Sequence, residues 1–206
     1  MSVTLVEGDL PVDLAMEFRN ARRVAVDTET GGLDWHRDPL QLCQLFTPET
    51  GTVLLRRVER TPLNLAGLLG DAGVLKVLHY APFDLRFLES QWESPVRSVA
   101  CTKAASRLLD PNLPSKGHSL QPLLQRHLGV TVSKGAVRTS NWGAEALSEE
   151  QLAYASGDVI HLLDLHDALS QRLDVSGLAE LYSRVCAYIP VDAHLAVSGF
   201  PNPLDY

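Results

Sequence analysis

Cysteine is scarce in this chain, with three in 206 residues, and Cys43, Cys101 and Cys186 stand far apart with no CxxC pair among them. That spacing argues against a disulfide framework or a thiolate zinc site and suits reduced thiols. Long apolar runs are missing too, since no stretch approaches the ~20 residues of a membrane span. The opening, MSVTLVEGDLPVDL, carries acids where a signal peptide would carry Lys or Arg. A cytoplasmic protein with no membrane partner is therefore expected. Basic runs are equally rare: nothing exceeds pairs such as Arg22-Arg23 and Arg56-Arg57, and the net charge is −7. Proteins that grip long polyanions usually present a basic face. Here such a face would have to be assembled by the fold, or the partner would have to be short.

What is present suffices for a packed core, with 45% hydrophobic and 21% charged residues. No repeat, low-complexity tract or linker divides the chain, so one domain over 1–206 is expected. Arg23 to Asp27 is a short β-branched run that ends in an acid. Leu40 to Phe46 alternates apolar residues with Gln41 and Gln44. The turn residues of 47–51 then lead into a returning strand over 52–55, which predicts a three-stranded meander. A helix is expected over 62–69, closed by Gly70, then a buried strand over 74–78 and a helix over 82–88 with Pro82 in its first turn. The second half reads as helical: 102–109, 119–128 closed by Gly129, 152–173 with Gly157 as a weak point, and 176–188. Ser148 and Gln151 make an S-x-x-Q capping box ahead of the third of these. The tail from Gly199, with Pro201 and Pro203, should be irregular. Strands first, with a βαβ step, then helices, predict an α/β or α+β domain on one sheet.

Three segments could carry chemistry. In Asp27-Thr28-Glu29-Thr30-Gly31-Gly32 two acids sit two apart at a strand end, so both carboxylates project to one face. Carboxylate oxygens suit Mg²⁺ and Mn²⁺, although Asp, Thr and Gly also make ordinary solvated turns. In His79-Tyr80-Ala81-Pro82-Phe83-Asp84 the acid lies in a first helical turn, where it could simply answer the helix dipole. His79 by itself could be a hydrogen-bonded structural residue. In Tyr154-Ala155-Ser156-Gly157-Asp158 the i, i+4 spacing puts Tyr154 and Asp158 on one helix face. Alone, these two could be half-buried core and solvated surface.

Taken together the segments ask for a cation. Two like charges ~4 Å apart cost about 4 kcal/mol at an effective dielectric of ~20. Two divalent cations would balance four carboxylates, and such a pair suits phosphodiester cleavage. A nearby tyrosine hydroxyl could orient or deprotonate the attacking water.

The segments VAVDTETGGL, HYAPFDLRFL and YASGDV resemble the three exonuclease motifs of the DEDD superfamily. The Y-x-x-x-D form of the last resembles its tyrosine branch, to which ribonuclease D belongs. CTKAASRLL, GHSLQPLLQRHLGV and RTSNWGAEALSEEQLAYASGDV are similar to ribonuclease D exonuclease domains. VEGDLP, HRDPLQL and CAYIPVDAHLAVSG are most like the compact nanoRNase C type. The resemblance implies a ribonuclease H-like exonuclease fold, an α/β architecture with a mixed central sheet flanked by helices. It implies hydrolysis from a 3′ end with release of 5′-mononucleotides, on RNA 3′ ends or short oligoribonucleotides such as dinucleotides. A homo-oligomeric ring is implied as well.

By the same resemblance Asp27, Glu29, Asp84 and Asp158 would hold two divalent cations, Mg²⁺ or Mn²⁺, and Tyr154 would assist the nucleophilic water. Thr28, Thr30 and His79 would lie beside the substrate, with Leu33 and Trp35 against a base. Trp35 reads equally well as a structural aromatic. Lys134, Arg138 and Ser140, ahead of Trp142, are candidates for phosphate contact, with a solvated loop as the plain alternative. Asn141 departs from the pattern, because relatives usually carry Asp there. A DNA 3′-5′ exonuclease uses the same metal chemistry and is the competing enzyme. A catalytically silent nucleic-acid-binding scaffold is the competing non-enzyme, against which all four acids and Tyr154 speak.

Overall fold

A computed structural model describes residues 3–131 and 140–204. Its centre is β2 (Arg23–Thr30), where Val24, Ala25 and Val26 are fully buried. β2 pairs antiparallel with β3 (Leu40–Thr47), and β3 with β4 (Gly51–Arg56), as the meander predicts. β1 (Val3–Glu7) adds in parallel to β4. On the other side of β2, β5 (Leu75–Leu78) and β6 (Val99–Cys101) add in parallel. The result is a mixed six-stranded sheet of order β1-β4-β3-β2-β5-β6.

Alternation along β2 sorts its side chains between two helical layers. Val24 and Val26 join the large core made with α1 (Val12–Asn20), α2 (Leu63–Leu69) and α3 (Ala81–Trp92), through Phe18, Leu65 and Leu85. Ala25 faces the other way, clustering with Phe46, Val77, Val159 and Leu162. The latter two belong to α6 (Glu149–Val159) and α7 (Leu162–Val175). α4 (Thr102–Leu109), α5 (Leu120–Leu128) and α8 (Ala179–Val197) complete the helical half. Among the described residues no helix is long and apolar enough to cross a membrane.

The structure differs from the sequence reading at several elements. The single helix expected over 152–173 is two, interrupted at Ile160 and His161. The break lets the two segments bury different sides. Ala155 packs with Leu42, Leu54 and Trp142, whereas Leu165, Leu169 and Leu173 enter the large core. The last helix runs to Val197, through Pro190, rather than stopping at 188. β1, α1 and β6 were not anticipated. β6 is three residues long, too short for periodicity to reveal.

The predicted capping box is formed: the Gln151 amide N–H donates to Ser148 Oγ at 3.2 Å, and the Ser148 N–H to Gln151 Oε1 at 2.9 Å. It fixes the start of the helix that carries Tyr154 and Asp158.

Candidate active site

The alternation that divides the core also builds the site. Asp27 and Glu29 share the face of Ala25 and so meet α6, which brings Asp158 and Tyr154. One carboxylate oxygen each from Asp27, Glu29 and Asp158 lies within 4.8 Å of the others. Thr28 points to the opposite face and meets α3, where its hydroxyl donates to Asp84 Oδ1 at 2.7 Å. The strand end is therefore where two helices from opposite layers converge. All four acids and Tyr154 line one cavity of about 280 Å³, with His79, Tyr80, Phe83 and Lys103.

The electrostatics of this cluster are strained. Asp84 is 2% exposed, and burial pushes its carboxyl up to about 7 despite the Thr28 hydrogen bond. Asp27 is raised well above the ordinary carboxylate range, first by burial and then by Asp84, Asp158 and Glu29. Burial also raises the Tyr154 hydroxyl, which is hydrogen-bonded to Asp158 and faces Glu29 and Asp27. The Gln44 amide donates to Glu29 at 3.4 Å. Crowded, desolvated carboxylates with oxygen-only donors are what a hard divalent cation relieves, so the residues fit Mg²⁺ or Mn²⁺.

A second cavity of about 580 Å³ shares Thr28, Glu29 and Phe83 with the first and continues past Thr30, Gly31, Gly32 and Leu33. Its other wall is Ser140, Asn141 and Trp142, with Gln41 beside them. Leu33 is 80% exposed over it. Trp142 is buried and packs its ring against Tyr154, centroids 6.0 Å apart. The wall is held from β4, where Arg56 donates to the Ala144 carbonyl and Arg57 to that of Glu145 at 2.8 Å.

The expected substrate residues divide accordingly. Thr28, Thr30, Leu33 and Ser140 line the groove, and His79 lines the acidic cavity with Nδ1 2.9 Å from Thr102 Oγ1. Trp35 lines neither: Arg86 stacks on its ring at 4.9 Å and Ser90 and Gln91 donate to its carbonyl, which makes it structural. Lys134 and Arg138 lie outside the described residues.

Lys103 and Tyr80 were missed. The Lys103 ammonium sits 4.0 Å over the Tyr80 ring, beside the acids. Tyr80 has a left-handed φ of 67°, uncommon away from glycine and frequent at functional sites. CTKAASRLL is similar to ribonuclease D exonuclease domains, but nothing local in it marks Lys103. A larger cavity of about 740 Å³ at the far ends of α4 and α5 gathers Asp110, Arg126, His127 and Arg172. Arg172 is paired with Asp110, and Arg126 sits in the last turn of α5, where a cation offsets the helix dipole. Among the described residues no acid cluster of the kind at β2 accompanies them.

Comparison with known proteins identifies the family and the fold. The 3′-5′ exonuclease family model matches residues 4–174. Ribonuclease D of Haemophilus influenzae is 34% identical over 152 residues, which is 73% of this chain and 37% of that protein. The chain thus spans little more than a third of that relative. Brucella melitensis NrnC, solved with bound Mg²⁺, superposes with a TM-score of 0.89 at 30% identity over 100% of both chains. NrnC has also been solved bound to pGG. Escherichia coli RNase D superposes with a TM-score of 0.83 at 22% identity, covering 94% of this chain and 51% of that one. The expected ribonuclease H-like exonuclease fold is the one observed.

Proposed function

The chain belongs to the 3′-5′ exonuclease family, and on that premise we propose that it hydrolyses RNA from the 3′ end, releasing 5′-mononucleotides. The observation that carries this reading is the convergence of Asp27, Glu29 and Asp158 within 4.8 Å, with Asp84 joined through Thr28. Asp27, Glu29, Asp84 and Asp158 would hold two divalent cations, Mg²⁺ or Mn²⁺. When bound, such cations act as Lewis acids, activate water and clamp the scissile phosphate.

The protein's own residues supply position. Tyr154, with its hydroxyl raised by burial and tied to Asp158, keeps its proton and orients the attacking water. Trp142 and the capping box fix the helix from which Tyr154 reaches in. Thr28 holds the Asp84 carboxylate in place. Leu33 and Phe83 offer apolar walls to the terminal base, while Thr30 and Ser140 lie along the groove. Lys103 places one positive charge at the rim of the acidic cavity, where a neighbouring phosphate would sit.

Short oligoribonucleotides are the favoured substrates. The net charge of −7 supports this, as does the pGG complex of Brucella melitensis NrnC. The same resemblance supports a homo-oligomer, which sedimentation would test. A cytoplasmic location and a single exonuclease domain over 1–206 complete the reading.

The test is turnover of purified protein with Mg²⁺ or Mn²⁺ on an RNA ladder from two nucleotides upward, beside matched DNA. Faster cleavage of the shortest RNA supports the proposal. Equal rates on long RNA defeat the length preference, and faster DNA cleavage moves the protein to the competing DNA exonuclease.

A further inference from the structure

The polar groups of the groove are largely committed to the protein itself. Thr28 donates to Asp84 and Thr30 to the Gly32 carbonyl, while Ser140 accepts from Gln151. Gln41 is different, since its half-buried side chain lines the groove and makes no hydrogen bond among the described residues.

Its backbone explains the orientation. In the β2–β3 ladder Glu29 pairs with Leu42 and Thr30 with Leu40, so Gln41 is the unpaired residue of a β-bulge. Bulges bend a strand and re-aim one side chain, often beside an active site. This one lies directly across from Glu29. The facing wall is cut to fit: a Cβ on Gly143 would stand 2.9 Å from Gln41 Oε1 and 3.1 Å from Nε2. Glycine there leaves room for the amide.

We propose that Gln41 is a substrate-binding residue whose carboxamide hydrogen-bonds the base edge of the 3′-terminal nucleotide, between Leu33 and Asn141. A carboxamide offers a donor and an acceptor together, which matches the mixed edges of nucleobases. Rotating the amide exchanges the two, so the contact tolerates any base. Asn141 adds a neutral amide on the facing wall, its Oδ1 accepting from the Gly143 N–H at 3.1 Å. The inference rests on the nuclease reading.

The experiment compares wild type, Gln41→Met and Gln41→Leu on two short RNAs, one ending in a normal nucleotide and one in a 3′-terminal abasic nucleotide. On the normal substrate both variants should raise KM roughly two- to tenfold, the range of one neutral hydrogen bond, with little change in kcat. On the abasic substrate the ratio of variant to wild type should be near one. An equal loss on both substrates, or no loss on the normal one, overturns the proposal. Matching thermal unfolding of the variants and wild type separates lost contact from lost fold. Absence of wild-type turnover with either metal would instead defeat the nuclease reading itself.

Discussion

Replacing Asp84 by Asn should stabilise the metal-free protein while destroying its activity. Asp84 is 2% exposed, and its carboxyl is held at about 7 against an ordinary 3.8. The raised value means that the fold disfavours the charged form. The folded state therefore holds a proton that the unfolded state has lost between these two pH values, and stability falls as pH rises across that window. Above pH 7 the penalty is fully present. Some three units at 1.36 kcal/mol each amount to about 4 kcal/mol. Asn keeps an oxygen to accept the Thr28 hydrogen bond and carries no charge. It also removes one of the acids that raise Asp27. For a chain of this length about 4 kcal/mol corresponds to a rise in Tm on the order of 10 °C.

The assay is thermal unfolding of wild type and Asp84→Asn in chelator at pH 8 and pH 5, then with Mg²⁺. The variant should melt higher at pH 8, and the gap should narrow at pH 5 as wild-type Asp84 takes up its proton. Mg²⁺ should stabilise wild type more than the variant, since ligand binding to the folded state adds stability by mass action. An apo variant that melts at or below wild type at pH 8 would refute the argument. It would mean that the buried charge is not under strain.

Three further substitutions probe the surroundings. Tyr154→Phe should lower kcat roughly 10²–10⁴-fold, with Tm close to wild type, if the hydroxyl orients water; unchanged kcat would reduce Tyr154 to packing. Ser148→Ala should cost about 1 kcal/mol by removing the cap of α6, read as a Tm drop of a few degrees. Trp142→Ala should cost about 3–5 kcal/mol by emptying the space among Leu42, Leu54 and Ala155, and turnover at a permissive temperature should fall as Tyr154 loses its ring contact.

Much of the fold could be read along the chain, because it rests on local signals. The meander showed in the alternation of 40–46 and the turn at 47–51, and the start of α6 in the Ser148–Gln151 pair. The failures share a cause. The break at Ile160 is invisible to periodicity, because both halves are helical and only their packing partners differ. Pro190 reads as a helix breaker, yet α8 continues past it with Ile189 and Ala193 buried.

The candidate site divides in the same way. Sequence alone determined which residues could serve it: Asp27 and Glu29 by strand parity, Tyr154 and Asp158 by helical spacing, and Asp84 by its place in a resembling motif. Tertiary structure decided that these acids share a cavity, because β2 sends alternate side chains toward α3 and α6. It also set Lys103 over Tyr80, turned Trp35 into a structural anchor and aimed Gln41 into the groove. Those outcomes depend on strand register, layer and burial, and pairings between residues far apart in the chain leave no local pattern to read.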